Sequence, residues 1–255
     1  MSEMNAIDIG VPQGSVLGPL LLLIFINKIT DYVNEGALTM FADDTTVMVS
    51  AMTPEELKQG LKSVLDQFDG WCKANSLVLN LEKTVYIHFR TRSKSPIVEI
   101  DYLNHSKNTK FLGLCVEDTL SWQVHVKYVV EKINSGYFAI NRLKDSLETK
   151  ELLSIYDSLI YSHLSYNVIF WGDSIESNRV FIAQKRVIRL LFSVPSLSSC
   201  RPYFMRHGIL TFPCLYIFKT LLYIKHNENT HPIGQDFHSK HPNERYYGNR
   251  FAPSN

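Results

Sequence analysis

Two short apolar runs rich in Thr, Val and Phe, Ala37–Ala42 and Thr45–Ser50, are separated by Asp43-Asp44 alone. A two-residue spacer between β-prone runs leaves little choice but a tight hairpin with both acids at its tip. Adjacent carboxylates repel one another, and apolar strands on either side give them no relief. A divalent cation at the tip accounts for the arrangement, and hard carboxylate oxygens suit Mg²⁺. Asp is also a common turn residue, so a solvated turn accounts for the pair on local grounds.

The segment that follows restricts the fold further. Thr53-Pro54-Glu55-Glu56 is a capping box with proline at the first helical position. The helix it opens carries Leu57, Leu61, Val64, Leu65, Phe68, Trp71 and Cys72 on one stripe, and that stripe is expected to pack on the hairpin. Before the hairpin, Ser15 to Val33 is dense in Leu and Ile and is expected to form one helix buried on most of its surface. Strand-like runs follow at 85–89, 97–100 and 110–116, then helices over roughly 121–146, 149–163 and 174–193. The fold class expected is α+β: antiparallel sheet with helices over residues 1–118, then an all-helical domain over 119–194. A C-terminal extension covers 195–255; from about His226 it is rich in Asn, His and Pro and is expected to be mostly disordered.

Net charge is +1, so any polyanion-binding surface must be local. Cys72, Cys115, Cys200 and Cys214 form no close pair, which favours free thiols in a reducing compartment. The longest apolar run, Leu20 to Ile26, is too short to span a membrane, which needs about 20 residues. A soluble intracellular protein without a membrane partner is expected.

Gly10-Val11-Pro12-Gln13-Gly14-Ser15-Val16-Leu17-Gly18-Pro19 followed by Phe41-Ala42-Asp43-Asp44 resembles two successive motifs of reverse transcriptases. Asn80-Leu81-Glu82-Lys83-Thr84 and Phe111-Leu112-Gly113-Leu114 are similar to two later ones. Trp122 with His125, Tyr166 with Trp171-Gly172, and Gln184-Lys185-Arg186 resemble the thumb of jockey-like, non-LTR elements of animals. The likeness covers roughly residues 9–225, in order.

The resemblance implies RNA-templated DNA synthesis with RNA template, DNA primer and deoxynucleotides as partners. It makes Asp43 and Asp44 the Mg²⁺ ligands and Lys83 a proton donor to departing pyrophosphate. Pro12, Gln13 and Gly14, with Phe41 and Ala42, would contact template and nascent pair, and Leu112-Gly113 the primer end. Each residue also has a plainer reading: Lys83 a surface lysine, Gln13 a loop residue, Gly113 a packing glycine. Trp71, Trp122 and Trp171 read as core rather than as stacking platforms. Two basic clusters, Arg90, Arg92 and Lys94 with Lys107 and Lys110 near the next strand, and Lys185, Arg186 and Arg189 on a helix, are candidates for phosphate contacts or simply solvated faces.

The family also uses a further aspartate well upstream of the Pro-Gln-Gly loop, and nine residues precede Gly10 here. The expectation is a truncated site that binds Mg²⁺ weakly and does not extend primers by itself. The alternative is a non-catalytic nucleic-acid-binding protein derived from a retrotransposon fragment.

Overall fold

A computed structural model of the chain describes residues 14–42, 44–89, 98–100, 103–196 and 198–227. The chain divides into two compact units, residues 1–109 and 110–255.

The first unit is built around a hairpin and one long helix. β1 (Ala37–Phe41) and β2 (Asp44–Met48) pair antiparallel, from Ala37 opposite Met48 to Phe41 opposite Asp44. Alternation along both strands turns Leu38, Met40 and Val47 inward and leaves Ala37, Thr39, Phe41, Asp44, Thr46 and Met48 exposed. The inner face packs on α3 (Pro54–Ala74), whose capping box forms as expected. Glu56 N–H donates to Thr53 Oγ1 at 3.3 Å, and Thr53 N–H donates to Glu56 Oε2 at 3.2 Å. Val64, Trp71 and Cys72 of the stripe are fully buried, with Phe68 packed against them. Burying each large apolar side chain contributes about 1.5–3 kcal/mol, which is what holds the hairpin on the helix.

The region before the hairpin departs from expectation. Instead of one buried helix there are two short ones, α1 (Gly18–Ile26) and α2 (Ile29–Tyr32). α1 buries none of its residues, and Leu20 to Phe25 are all exposed. It is apolar around its whole circumference, so one neighbour cannot cover it, and Phe25 against Trp71 is its ring contact with the core. The Asn27-Lys28 turn ends α1 and redirects the chain so that Ile29 and Val33 enter the core instead. Among the described residues the strands form three separate two-stranded ribbons rather than one antiparallel sheet. β3 (Val85–Tyr86) and β4 (Asn104–His105) even run parallel. Strands this short cannot recruit a third neighbour. Val98 to Ile100 form no strand, although Val98 and Ile100 are buried.

β5 (Asn108–Phe111), which runs into the second unit, and β6 (Leu114–Glu117) form a hairpin, as the likeness of residues 111–114 to a family hairpin implied, so the strand-like run over 110–116 is interrupted. Leu112 and Gly113 break it, both at positive φ (+44° and +86°), the combination of a type I′ turn. Helices follow: α4 (Gln123–Leu143), α5 (Thr149–Tyr156), a π-helical turn (Asp157–Tyr161), α6 (Ser162–Ser165), α7 (Val168–Trp171) and α8 (Ser177–Leu191). The helix expected over 149–163 is thus interrupted by a π turn. Gly136 of α4 gives the reason: a Cβ there would lie 2.7 Å from Ile160 Cγ1, so this turn sits tight against α4.

Two further helices, α9 (Arg201–Arg206) and α10 (Phe212–His226), complete the unit. Val126, Val129, Ile133 and Ile140 of α4 meet Val180, Val187 and Ile188 of α8 in one core. That core also takes Tyr156, Trp171, Phe204, Phe212 and Leu215. All four cysteines are free thiols. No helix among the described residues is long and apolar enough to cross a membrane. The expected tail from residue 228 onward lies outside the described residues.

Candidate active site and nucleic-acid interface

The docked inner face of the first hairpin determines where its tip points. Asp44 is the first residue of β2, exposed, opposite Phe41 on the outward face. Ala42 has φ +53°, the left-handed conformation that a two-residue hairpin turn demands. Asp43 lies outside the described residues, as do Pro12 and Gln13. Gly14, at φ +85°, is exposed with nothing near its missing Cβ. Among the described residues no three His, Cys, Asp or Glu side chains converge on a point. Asp44 supplies a carboxylate of the kind Mg²⁺ takes, which fits as one ligand of a set, not as a whole set.

Lys83 is exposed and makes no ion pair with Asp44. Its surroundings explain why the segment reads Asn-Leu-Glu-Lys-Thr. Asn80 Oδ1 accepts the Lys83 N–H at 3.2 Å, and the Asn80 carbonyl accepts Thr84 N–H at 3.1 Å and Thr84 Oγ1–H at 2.8 Å. Asn and Thr build the turn, and the lysine is what it presents.

In the second unit, the Leu112-Gly113 turn is clamped from the loop before α7. The Tyr166 hydroxyl donates to the Leu112 carbonyl. A Cβ on Gly113 would lie 3.1 Å from Tyr166 Cε1, so glycine is needed both for φ and for space. Trp171 Nε1–H donates to the Tyr166 carbonyl at 3.1 Å, fixing the clamp to the core. On the other side, the Cys115 N–H donates to His125 Nδ1 at 3.3 Å. The residues that looked like a thumb motif are therefore mostly the supports of this turn. Leucine at positive φ is a strained choice, and these contacts hold it there.

On α8, the Lys185 ammonium lies 4.5 Å from the Phe181 ring centroid and the Arg186 guanidinium 4.3 Å from that of Tyr137. Arg189 is half-buried, and its Nε has no hydrogen-bond partner among the described residues. Gln184, by contrast, is fully buried and structural. Arg90, Arg92 and Lys94 lie outside the described residues. Trp71 and Trp171 are buried, and Trp122 is half-buried at the start of α4, so none is a free platform for a base. Lys110, already a candidate in the first basic cluster, is joined about the Tyr128 ring by Lys132, which the sequence did not single out and whose visible signal is its helical spacing from Tyr128.

The first unit thus presents a hairpin with a carboxylate near its tip, docked on a long helix. Residues 5–116 match the family model for reverse transcriptase (RNA-dependent DNA polymerase), so this stretch is similar to a reverse-transcriptase domain. Its homologues are RNA-directed DNA polymerases of non-LTR retrotransposons. The chain is 28% identical over 211 residues to the RNA-directed DNA polymerase from mobile element jockey of Drosophila melanogaster, covering 76% of this chain and 23% of that protein. It is 27% identical over 215 residues to the probable RNA-directed DNA polymerase from transposon BS of the same fly, covering 77% and 23%. A third relative, the probable RNA-directed DNA polymerase from transposon X-element, is 25% identical over 205 residues. The chain thus spans under a quarter of the length of these curated relatives. No solved structure matches it.

Proposed function

We propose that this chain supplies the catalytic hairpin and the thumb of an RNA-directed DNA polymerase. In this reading residues 1–118 are part of the palm, 119–194 the thumb, and 195–255 an extension. The observation that carries it is Asp44 at the outward tip of a hairpin whose inner face is sealed onto α3. A carboxylate so placed is rigid from behind and open in front, which is what phosphoryl transfer asks of a protein: positioning and charge.

The reaction is attack of the primer 3′-hydroxyl on the α-phosphorus of a bound deoxynucleotide, with pyrophosphate leaving. Asp43 and Asp44 would hold Mg²⁺, which supplies charge neutralisation at the transferred phosphate. Lys83 gives a proton to the departing pyrophosphate. Pro12, Gln13 and Gly14 place the template pair, with Phe41 and Ala42 beside it. Leu112 and Gly113 hold the primer end in a turn kept rigid by Tyr166. Arg90, Arg92, Lys94, Lys185, Arg186 and Arg189 contact backbone phosphates.

The test is primer extension on an RNA template by a chimera in which this chain replaces the matching segment of the jockey polymerase. Extension that depends on Asp44 supports the reading. Salt-sensitive binding of primer–template without extension would make the chain a non-catalytic nucleic-acid binder instead.

A further inference from the structure

The second unit holds a cationic cluster that the reading above leaves unused. Lys110 on β5 and Lys132 on α4 bring their Nζ atoms to 5.5 and 5.4 Å from the centroid of one ring, that of Tyr128. Both distances fall within the range of a cation–π attraction. Both lysines are exposed, and neither is ion-paired to a carboxylate among the described residues. Lysine is a long, mobile side chain, and two like charges drift apart unless something gathers them. Here the ring does, since its negative face attracts each ammonium.

The elements that carry the pair are bound to one another. The Cys115 N–H bond to His125 Nδ1 ties β6 to α4 one turn before Tyr128, and the His125 and Tyr128 rings touch with centroids 6.2 Å apart. The Lys110 strand ends in the Leu112-Gly113 turn, held by the Tyr166 hydroxyl. Burial first, and then the Lys132 charge, hold the His163 imidazole below its usual pKa, so the Lys132 ammonium acts on its surroundings as an unneutralised charge. Two unpaired ammoniums on a fixed frame, gathered within 5.5 Å of a common centroid, match the anionic oxygens of a sugar–phosphate chain.

We propose that Lys110 and Lys132, gathered by Tyr128, form a phosphodiester clamp that grips the backbone of the primer–template beside the Leu112-Gly113 turn. This rests on the reading of the chain as one that engages primer–template. The clamp fixes the strand without reading its bases, because ammonium–phosphate contacts carry no sequence information.

The experiment measures binding of the whole chain to a fluorescent RNA–DNA primer–template over a range of salt concentrations. K110Q/K132Q is expected to bind more weakly, with the log–log salt slope reduced by about 0.7–0.9 for each lysine. K110R/K132R keeps both charges and is expected to retain the wild-type slope. K150Q/K225Q removes two exposed charges elsewhere in the same unit and is expected to change the slope less. An unchanged slope in K110Q/K132Q overturns the clamp, and so does an equal loss in K150Q/K225Q, which would reduce it to the general field. Absence of salt-dependent binding by the wild-type chain would overturn the polymerase reading first, and the clamp with it.

Discussion

His125 is 2% exposed, with Nδ1 accepting from the Cys115 N–H, so in the neutral ring the proton sits on Nε2. Burial among Trp122, Tyr128 and Trp171 holds its pKa down to about 4. A depressed pKa means that the folded state refuses a proton the unfolded chain accepts. Its contribution is therefore complete above pH 6.5 and is lost as pH falls toward 4. The stake is about 3 kcal/mol at 1.36 kcal/mol per pH unit. Urea unfolding across pH 7 to 4 should show this loss, and His125→Phe should flatten that limb. A second buried polar residue acts differently. Gln184 Nε2–H donates to Tyr156 Oη and to the Leu210 carbonyl, each at 2.9 Å, and Gln184 Oε1 accepts the Phe212 N–H at 2.8 Å. It joins α8 to α5 and to the start of α10. Gln184→Leu keeps the volume and orphans three buried groups, each costing roughly 1–3 kcal/mol. A loss of about 3 kcal/mol or more, read as a lower urea midpoint at constant m-value, is expected. Gln184 had read as part of a basic motif, and nothing in its neighbours along the chain marks it as buried.

At the scale of elements, close approaches do most of the organising. Gly172, after α7, lies where a Cβ would be 2.5 Å from Tyr216 Cδ2 on α10 and 2.7 Å from the Val168 carbonyl oxygen. Gly172→Ala must therefore push α10 outward or distort α7. Overpacking of this kind typically costs 1–3 kcal/mol. Thermal unfolding should show it as a lowered Tm, whereas an unchanged Tm would mean that α10 is free to slide. Elements with local signals were legible beforehand: the first hairpin from its two β-prone runs, although Asp44 proves to be the first residue of β2, opposite Phe41, rather than part of the spacer, and α3 from Thr53, Pro54 and Glu56 with its stripe. α4 and α8 were legible from their apolar spacing. Elements whose shape depends on a distant partner were not. The hairpin at Leu112-Gly113 was legible only through its likeness to the family's primer grip, because its turn places a leucine at positive φ, which no propensity favours, and Tyr166, 54 residues away, holds it. The π turn at 157–161 answers to Gly136, and α9 and α10 answer to the α4–α8 core. α1 looked buried because it is apolar, but hydrophobicity says what a helix prefers, not what lies over it.

For the whole molecule, the likeness to reverse transcriptases was legible because it sits on short contiguous motifs in a set order. The second unit's supporting contacts were not, since they join residues 10 to 54 positions apart. What the first unit presents is a carboxylate on a hairpin braced by α3, and the proposed function assigns this carboxylate to nucleotidyl transfer. The measurement is single-nucleotide incorporation under single-turnover conditions by the jockey chimera, on an RNA template with Mg²⁺. Asp44→Asn keeps the size and the hairpin but removes the charge, and is expected to slow incorporation by at least about 10²–10³ while primer–template affinity holds. Lys83→Ala, acting on the leaving group alone, is expected to cost less, toward the lower end of the 10²–10⁴ typical of general acid catalysis. Incorporation by Asp44→Asn at the rate of the unmutated chimera would contradict the account.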